Sequence, residues 1–147
     1  MPQREKADGH SLAVAFVSRF IREPALRERI SAVLAGLPAE VRQDIVNDDR
    51  FRMAVFDVRD AANSYLHFAP PGVGKSGSRM IAWKSSLSTA PLEFANYVIA
   101  HEFAHAYLRN RGRTAAEDPE DAADALAQEW GYDKPESARR FTWWRRS

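Results

Sequence analysis

His101, Glu102 and His105 stand in the order His-Glu-x-x-His, and the spacing gives the trio its chemistry. Residues i and i+4 of a helix lie one turn apart on the same face. Two imidazole nitrogens can therefore converge on one zinc ion at about 2.0 to 2.1 Å, while the glutamate, offset by about 100°, can reach a metal-bound water. Metal and base are then delivered by one rigid element. The chain has four histidines, two of them in this pattern, so a zinc site is expected. The plainer alternative is a pair of core histidines satisfied by Glu102.

A third ligand is expected on the next element. After the basic stretch NRGRT, Asp118 reads as an N-cap, Pro119 as the first helical residue and Gly131 as the stop. A competing start at Thr114 leaves Pro119 inside the first turns, where its ring clashes with a carbonyl. From the Asp118 start, Glu120, Ala123, Asp124 and Ala127 share a face, and the alanines let this helix lie close against the histidine helix. Glu120 is the expected third ligand, with Glu117, Asp121 and Asp124 as alternatives. Asp124, one turn beyond, is expected to accept a hydrogen bond from the distal nitrogen of a ligating histidine, fixing its tautomer. These acidic residues also suit a helix N-terminus for ordinary electrostatic reasons.

The element carrying the histidines is Leu92 to Asn110, with Ser88 or Thr89 as cap, Pro91 in the first turn, and Arg109 and Arg111 at the end. It is apolar around most of its circumference and should run through the centre of the domain. Upstream, Leu12, Ala15, Phe16, Arg19 and Phe20 read as a first helix; Pro24 marks a restart, and Leu26, Ile30, Val33, Leu34 and Leu37 recur at helical spacing up to Gly36 and Pro38. PAEVRQDIVND reads as a further short helix. Phe51 to Val58, with its alternating Phe51, Met53 and Val55, reads as a strand, followed by candidate strands at Ser64 to Ala69 and Arg79 to Lys84. The expected fold class is α+β, with N-terminal helices, a small mixed sheet of about three strands, and two helices carrying the site.

Length and composition bound the alternatives. The 147 residues fit one domain, read here as residues 1–147 with a loose tail at 1–10 and a basic aromatic segment at 134–147. Hydrophobic residues at 45% and charged residues at 28% make global disorder a poor reading. With 21 Lys and Arg against 20 Asp and Glu, the charge balance does not point to nucleic acid. Absent cysteine excludes disulfides and thiol nucleophiles, and no stretch is apolar enough for a membrane span. A soluble, cytoplasmic protein is expected; its oligomeric state is open.

HEFAH followed by Glu120-Asp-Ala-Ala-Asp124 resembles the small glutamate-type zincins, zinc metallopeptidases whose third ligand is a glutamate on a second helix. The resemblance covers roughly residues 79 to 132. It extends both to membrane-associated members and to minimal soluble domains in bacterial regulators that cleave repressors. It implies a zincin-like fold and zinc-dependent hydrolysis of a protein or peptide substrate, by an endopeptidase rather than an exopeptidase. His101, His105 and Glu120 would hold Zn2+, and Glu102 would take a proton from the bound water and return it to the leaving amine. In such enzymes an extended peptide lies antiparallel to an edge strand, here Arg79 to Lys84, with Arg79, Trp83 or Lys84 lining the cleft. The oxyanion donor would come from Tyr107, Tyr132, Tyr97, His67 or Arg79; Tyr132 and His67 lead, whereas Tyr107 lies about 160° around the helix from His105 and belongs to packing. The departures are a short interval between His105 and Glu120, no membrane helices, and no histidine after His105, which excludes the metzincin pattern. The alternative is a non-catalytic binding or regulatory protein with a structural metal site, closed by Asp124, Glu117 or His67.

Two further segments invite a function. Gly74-Lys75-Ser76 suggests a phosphate loop, but that motif requires a glycine at position 69, where Ala69 stands. At the C-terminus, Lys134, Arg139, Arg140, Arg145 and Arg146 mix with Phe141, Trp143 and Trp144. Packing of the aromatic residues with the arginines in water is the first reading; contact with a partner, nucleic acid or a membrane surface is the alternative.

Overall fold

Glu23 and Pro24 open a helix by local chemistry alone. The Glu23 carboxylate accepts from the Ala25 amide at 3.1 Å and the Leu26 amide at 2.6 Å, satisfying donors that have no intrahelical partner, and Pro24 sits where no N–H is needed. The structure is a computed structural model and describes residues 2–56, 79–110 and 119–135. Over these residues the order is α1 (Pro2–Ser18), α2 (Pro24–Gly36), α3 (Ala39–Val46), β1 (Phe51–Phe56), β2 (Arg79–Lys84), a 3-10 turn (Ser85–Ser88), α4 (Leu92–Asn110) and α5 (Pro119–Glu129). The class is α+β: five α-helices and a two-stranded parallel sheet among the described residues. None of these helices is long and apolar enough to cross a membrane.

Several expectations change. Residues 2–10, read as a loose tail, lie within α1. The buried face of α1 is Ala13, Phe16 and Val17, leaving Leu12 57% exposed. The apolar stripe is thus turned from the one read in sequence, because the face is chosen by contact with α2. Among the described residues the sheet has two strands where about three in a mixed sheet are expected, with β1 and β2 paired in parallel from Phe51↔Arg79 to Phe56↔Lys84. The candidate strand Ser64 to Ala69, with His67, and the glycine-rich loop lie outside the described residues, as does the C-terminal segment from residue 136 onward. Strand β1 buries Phe51 and Met53 but leaves Val55 40% exposed, so its inward face stops at Met53.

The core forms around α4. Ala95, Ile99, Ala100, Phe103 and Ala104 are fully buried, as an apolar circumference requires. Phe103 meets the sheet: its ring centroid is 5.5 Å from Trp83 of β2 and 6.4 Å from Phe51 of β1, and Phe51 continues to Phe16 of α1 at 5.6 Å. Arg29 of α2 fixes the approach to α4, donating from Nη1 to the Leu87 carbonyl at 2.6 Å and the Ala90 carbonyl at 2.7 Å. Arg42 of α3 likewise donates to the Ala35 carbonyl at 3.0 Å and the Leu37 carbonyl at 3.3 Å, satisfying the end of α2.

Helix α5 begins at Pro119 and is closed beyond Glu129 by Gly131, whose φ of +101° belongs to the left-handed region. There the Gly131 amide donates to the Gln128 carbonyl and the Tyr132 amide to the Ala127 carbonyl, each at 2.9 Å, a Schellman ending. A Cβ at Gly131 would meet nothing within 4 Å, so a side chain there costs backbone strain alone. Gly131→Ala is expected to lose about 1 to 2 kcal/mol, visible as a lower urea midpoint at unchanged slope.

Candidate functional site: a histidine pair between two helices

Helix α4 presents His101 and His105 one turn apart toward α5, whose Ala123 and Ala127 are fully buried. Small side chains at one-turn spacing let the two helices approach closely, and Asp124 stands between those alanines in sequence. The histidines are 1% and 8% exposed. Buried imidazoles are costly without partners, and among the described residues they have polar contacts with one another and with α5. His101 Nδ1 is 2.8 Å from Asp124 Oδ1, and His101 Nε2 is 3.0 Å from His105 Nε2. The two rings are nearly perpendicular, at 87°, with centroids 4.5 Å apart.

Asp124 gathers further partners. The Tyr97 hydroxyl donates to the same Oδ1, and Lys134 Nζ lies 3.5 Å from Oδ2. Tyr97 is itself buried, one turn before His101 on α4, with its ring centroid 5.7 Å from the His101 ring. Burial alone would push the Asp124 carboxyl up, but the close approach of His101 and the hydrogen bond from Tyr97, with the charges of His101 and Lys134, outweigh it and hold the carboxyl at about 2. Asp124 is therefore an anion throughout the neutral range. An anion facing Nδ1 favours the proton on that nitrogen, leaving His101 Nε2 as the acceptor toward His105.

The other sequence candidates fall in different places. Glu102 is half-buried beside His101 on α4. Tyr107 packs against Trp130, with ring centroids 6.4 Å apart, as its angular position suggests. Tyr132 leans on α2: a Cβ on Gly36 would stand 3.0 Å from its hydroxyl, and burial raises its phenol pKa. Trp83 is a core residue beneath α4 rather than a cleft residue. The side chains of Glu120 and Arg79, together with Glu117 and His67, lie outside the described residues.

Among the described residues no group of three or more His, Cys, Asp or Glu side chains is placed to hold a metal ion. A catalytic zinc takes three protein ligands and a structural one takes four, whereas the described arrangement brings together two Nε2 atoms at hydrogen-bond distance from each other. Asp124 does not complete the set, because it addresses the opposite, Nδ1 edge of His101. The zinc cofactor held by His101, His105 and Glu120, the zincin-like fold, the zinc-dependent metallopeptidase and the alternative structural metal site are all set aside on this finding.

Sequence reasoning misses two contributors. It offers Tyr97 only as an oxyanion candidate, although a position four residues before His101 carries the same one-turn signal as His105. It groups Lys134 with the C-terminal cations, and only the turn after Gly131 brings that side chain to Asp124. No family model matches the chain, and no curated protein or solved structure matches it either.

Proposed function

We propose that the chain works through an acid–base centre formed by Asp124, His101 and His105, which exchanges a proton on binding a protein or peptide, with Glu102 beside it on α4 as a contact for that ligand. The observation that carries this reading is the continuous contact from Asp124 through the His101 ring to His105, at 2.8 and 3.0 Å. A proton taken up by His105 can pass across the Nε2···Nε2 contact to His101, where the Asp124 carboxylate balances the charge. Among the described residues, Tyr97 and Lys134 are further titratable neighbours, both directed at Asp124. Glu102, half-buried on the same helix, is more exposed than either histidine.

A protein or peptide ligand suits the position of β2, which lies against α4; an extended segment laid beside the strand would run toward the helix bearing the histidines. A cytoplasmic setting and a single domain over residues 1–147 belong to the same proposal.

The test is proton-linked binding. Peptides selected from a random display library against the wild-type chain would be titrated calorimetrically in buffers of different ionisation enthalpy. Uptake or release of about one proton per peptide is expected in the wild type and near zero in His101→Gln. Selection of no peptide, or the same proton count in both proteins, would sink the reading.

A further inference from the structure

Asp124 Oδ1 faces two groups, and one of them lies outside the acid–base chain. His101 Nδ1 stands 2.8 Å away, and the Tyr97 hydroxyl donates to the same atom. A carboxylate oxygen has two lone pairs, so the phenol and the imidazole share one oxygen while Lys134 Nζ faces the other at 3.5 Å. The fold holds Tyr97 firmly in this place. It is 1% exposed, it occupies the turn before His101 on the same helix, and its ring lies at 41° to the imidazole. A solvent-facing phenol would be interchangeable with water at Asp124. A buried one is not.

We infer that Tyr97 is a positioning residue that acts on His101 through Asp124, sharing Oδ1 and so weakening and fixing the carboxylate's hold on the imidazole. The inference rests on the acid–base reading above. A carboxylate oxygen shared between two partners interacts less strongly with each; removing the phenol donor leaves Oδ1 to His101 alone and strengthens its interaction with Nδ1. A residue that merely filled space would have the opposite effect, because its loss would loosen the pair. Tyr97→Phe keeps the ring and removes only the hydroxyl.

The experiment uses the full chain labelled with 15N-histidine and reads the ring N–H protons by NMR. In the wild type one downfield ring N–H is expected, assigned to His101 Nδ1, and Asp124→Asn should move it upfield. Tyr97→Phe should move it further downfield. Replacing tyrosine by fluorotyrosine, whose more acidic phenol is a stronger donor, should move it upfield; this arm keeps the test open if Tyr97→Phe does not fold. An unchanged or upfield signal in folded Tyr97→Phe overturns the role of Tyr97 while leaving the Asp124–His101 pair intact. A wild-type spectrum with no ring signal that responds to Asp124→Asn removes the pair itself and the inference with it.

Discussion

Replacing Asp124 by alanine is expected to destabilise the fold by about 2 to 4 kcal/mol, because it strands two buried donors at once and each unsatisfied buried group costs about 1 to 3 kcal/mol. The donors are the Tyr97 hydroxyl and His101 Nδ1–H, on side chains that are both 1% exposed. The loss should be local in origin, since Asp124 is the group through which the polar face of α5 meets α4. It should also depend on pH with a definite sign. The Asp124 carboxyl is lowered in the folded chain from 3.8 to about 2, so its ionised form contributes stability above the unfolded value, and that contribution disappears as pH falls through the folded one. Urea unfolding of wild type and Asp124→Ala from neutral pH to about pH 2 should therefore show a gap that is full above about pH 4 and narrows below it. A gap that stays constant across that range would mean that the carboxylate charge contributes nothing, and that only the shape of the side chain counts.

A second large effect is expected at Phe103. Its side chain is completely buried at the meeting point of α4 with both strands, between Trp83 at 5.5 Å and Phe51 at 6.4 Å. Phe103→Ala should cost about 3 to 5 kcal/mol, combining lost transfer energy with the cavity left between a helix and a sheet that cannot both close over it. Because Phe103 is two residues from His101, partial collapse would also disturb the histidine pair. Urea unfolding gives the magnitude, and Trp83, normally 1% exposed, supplies a direct reporter through a red shift of its emission. A loss below about 1 kcal/mol would place Phe103 at a site that relaxes freely and would contradict the packing described.

Much of the architecture follows from patterns visible in the residues. The long apolar run with Pro91 before it makes α4 readable from Leu92 to Asn110, and Pro119 and Gly131 set the start and end of α5 by their backbone constraints. The spacing of Leu26, Ile30, Val33 and Leu34 likewise marks the buried face of α2. Strand partners are not readable in the same way. Periodicity shows that Phe51 and Met53 share a side but carries nothing about which distant segment pairs with them, or in which direction. The face of α1 escapes for a related reason: its pattern permits two neighbouring stripes, and the choice lies with α2. At the site, the i to i+4 rule foresees the convergence of His101 and His105. It cannot say that the two rings meet each other and Asp124, because that depends on the side-chain rotation and on the approach of α5. The metal expectation is a projection from spacing to ligand set, and the geometry of the described residues does not supply that set.

The clamp made by Arg29 bears on modularity. A guanidinium from the second helix neutralises the carbonyls of Leu87 and Ala90 just before the histidine-bearing helix starts, and that helix also packs directly on α2 and α3. The chemistry-bearing half is consequently no cassette that could be lifted from its neighbours and grafted elsewhere. A fragment beginning at β2 would present uncapped peptide oxygens and the bare flank of α4 to water. Cutting the chain between α3 and β1 would leave two pieces obliged to find each other again, with Arg29 as the latch between them. Innovation around the histidine pair is therefore confined to substitutions at the α4–α5 junction, because recombination across the first helices would dismantle the support on which that junction stands.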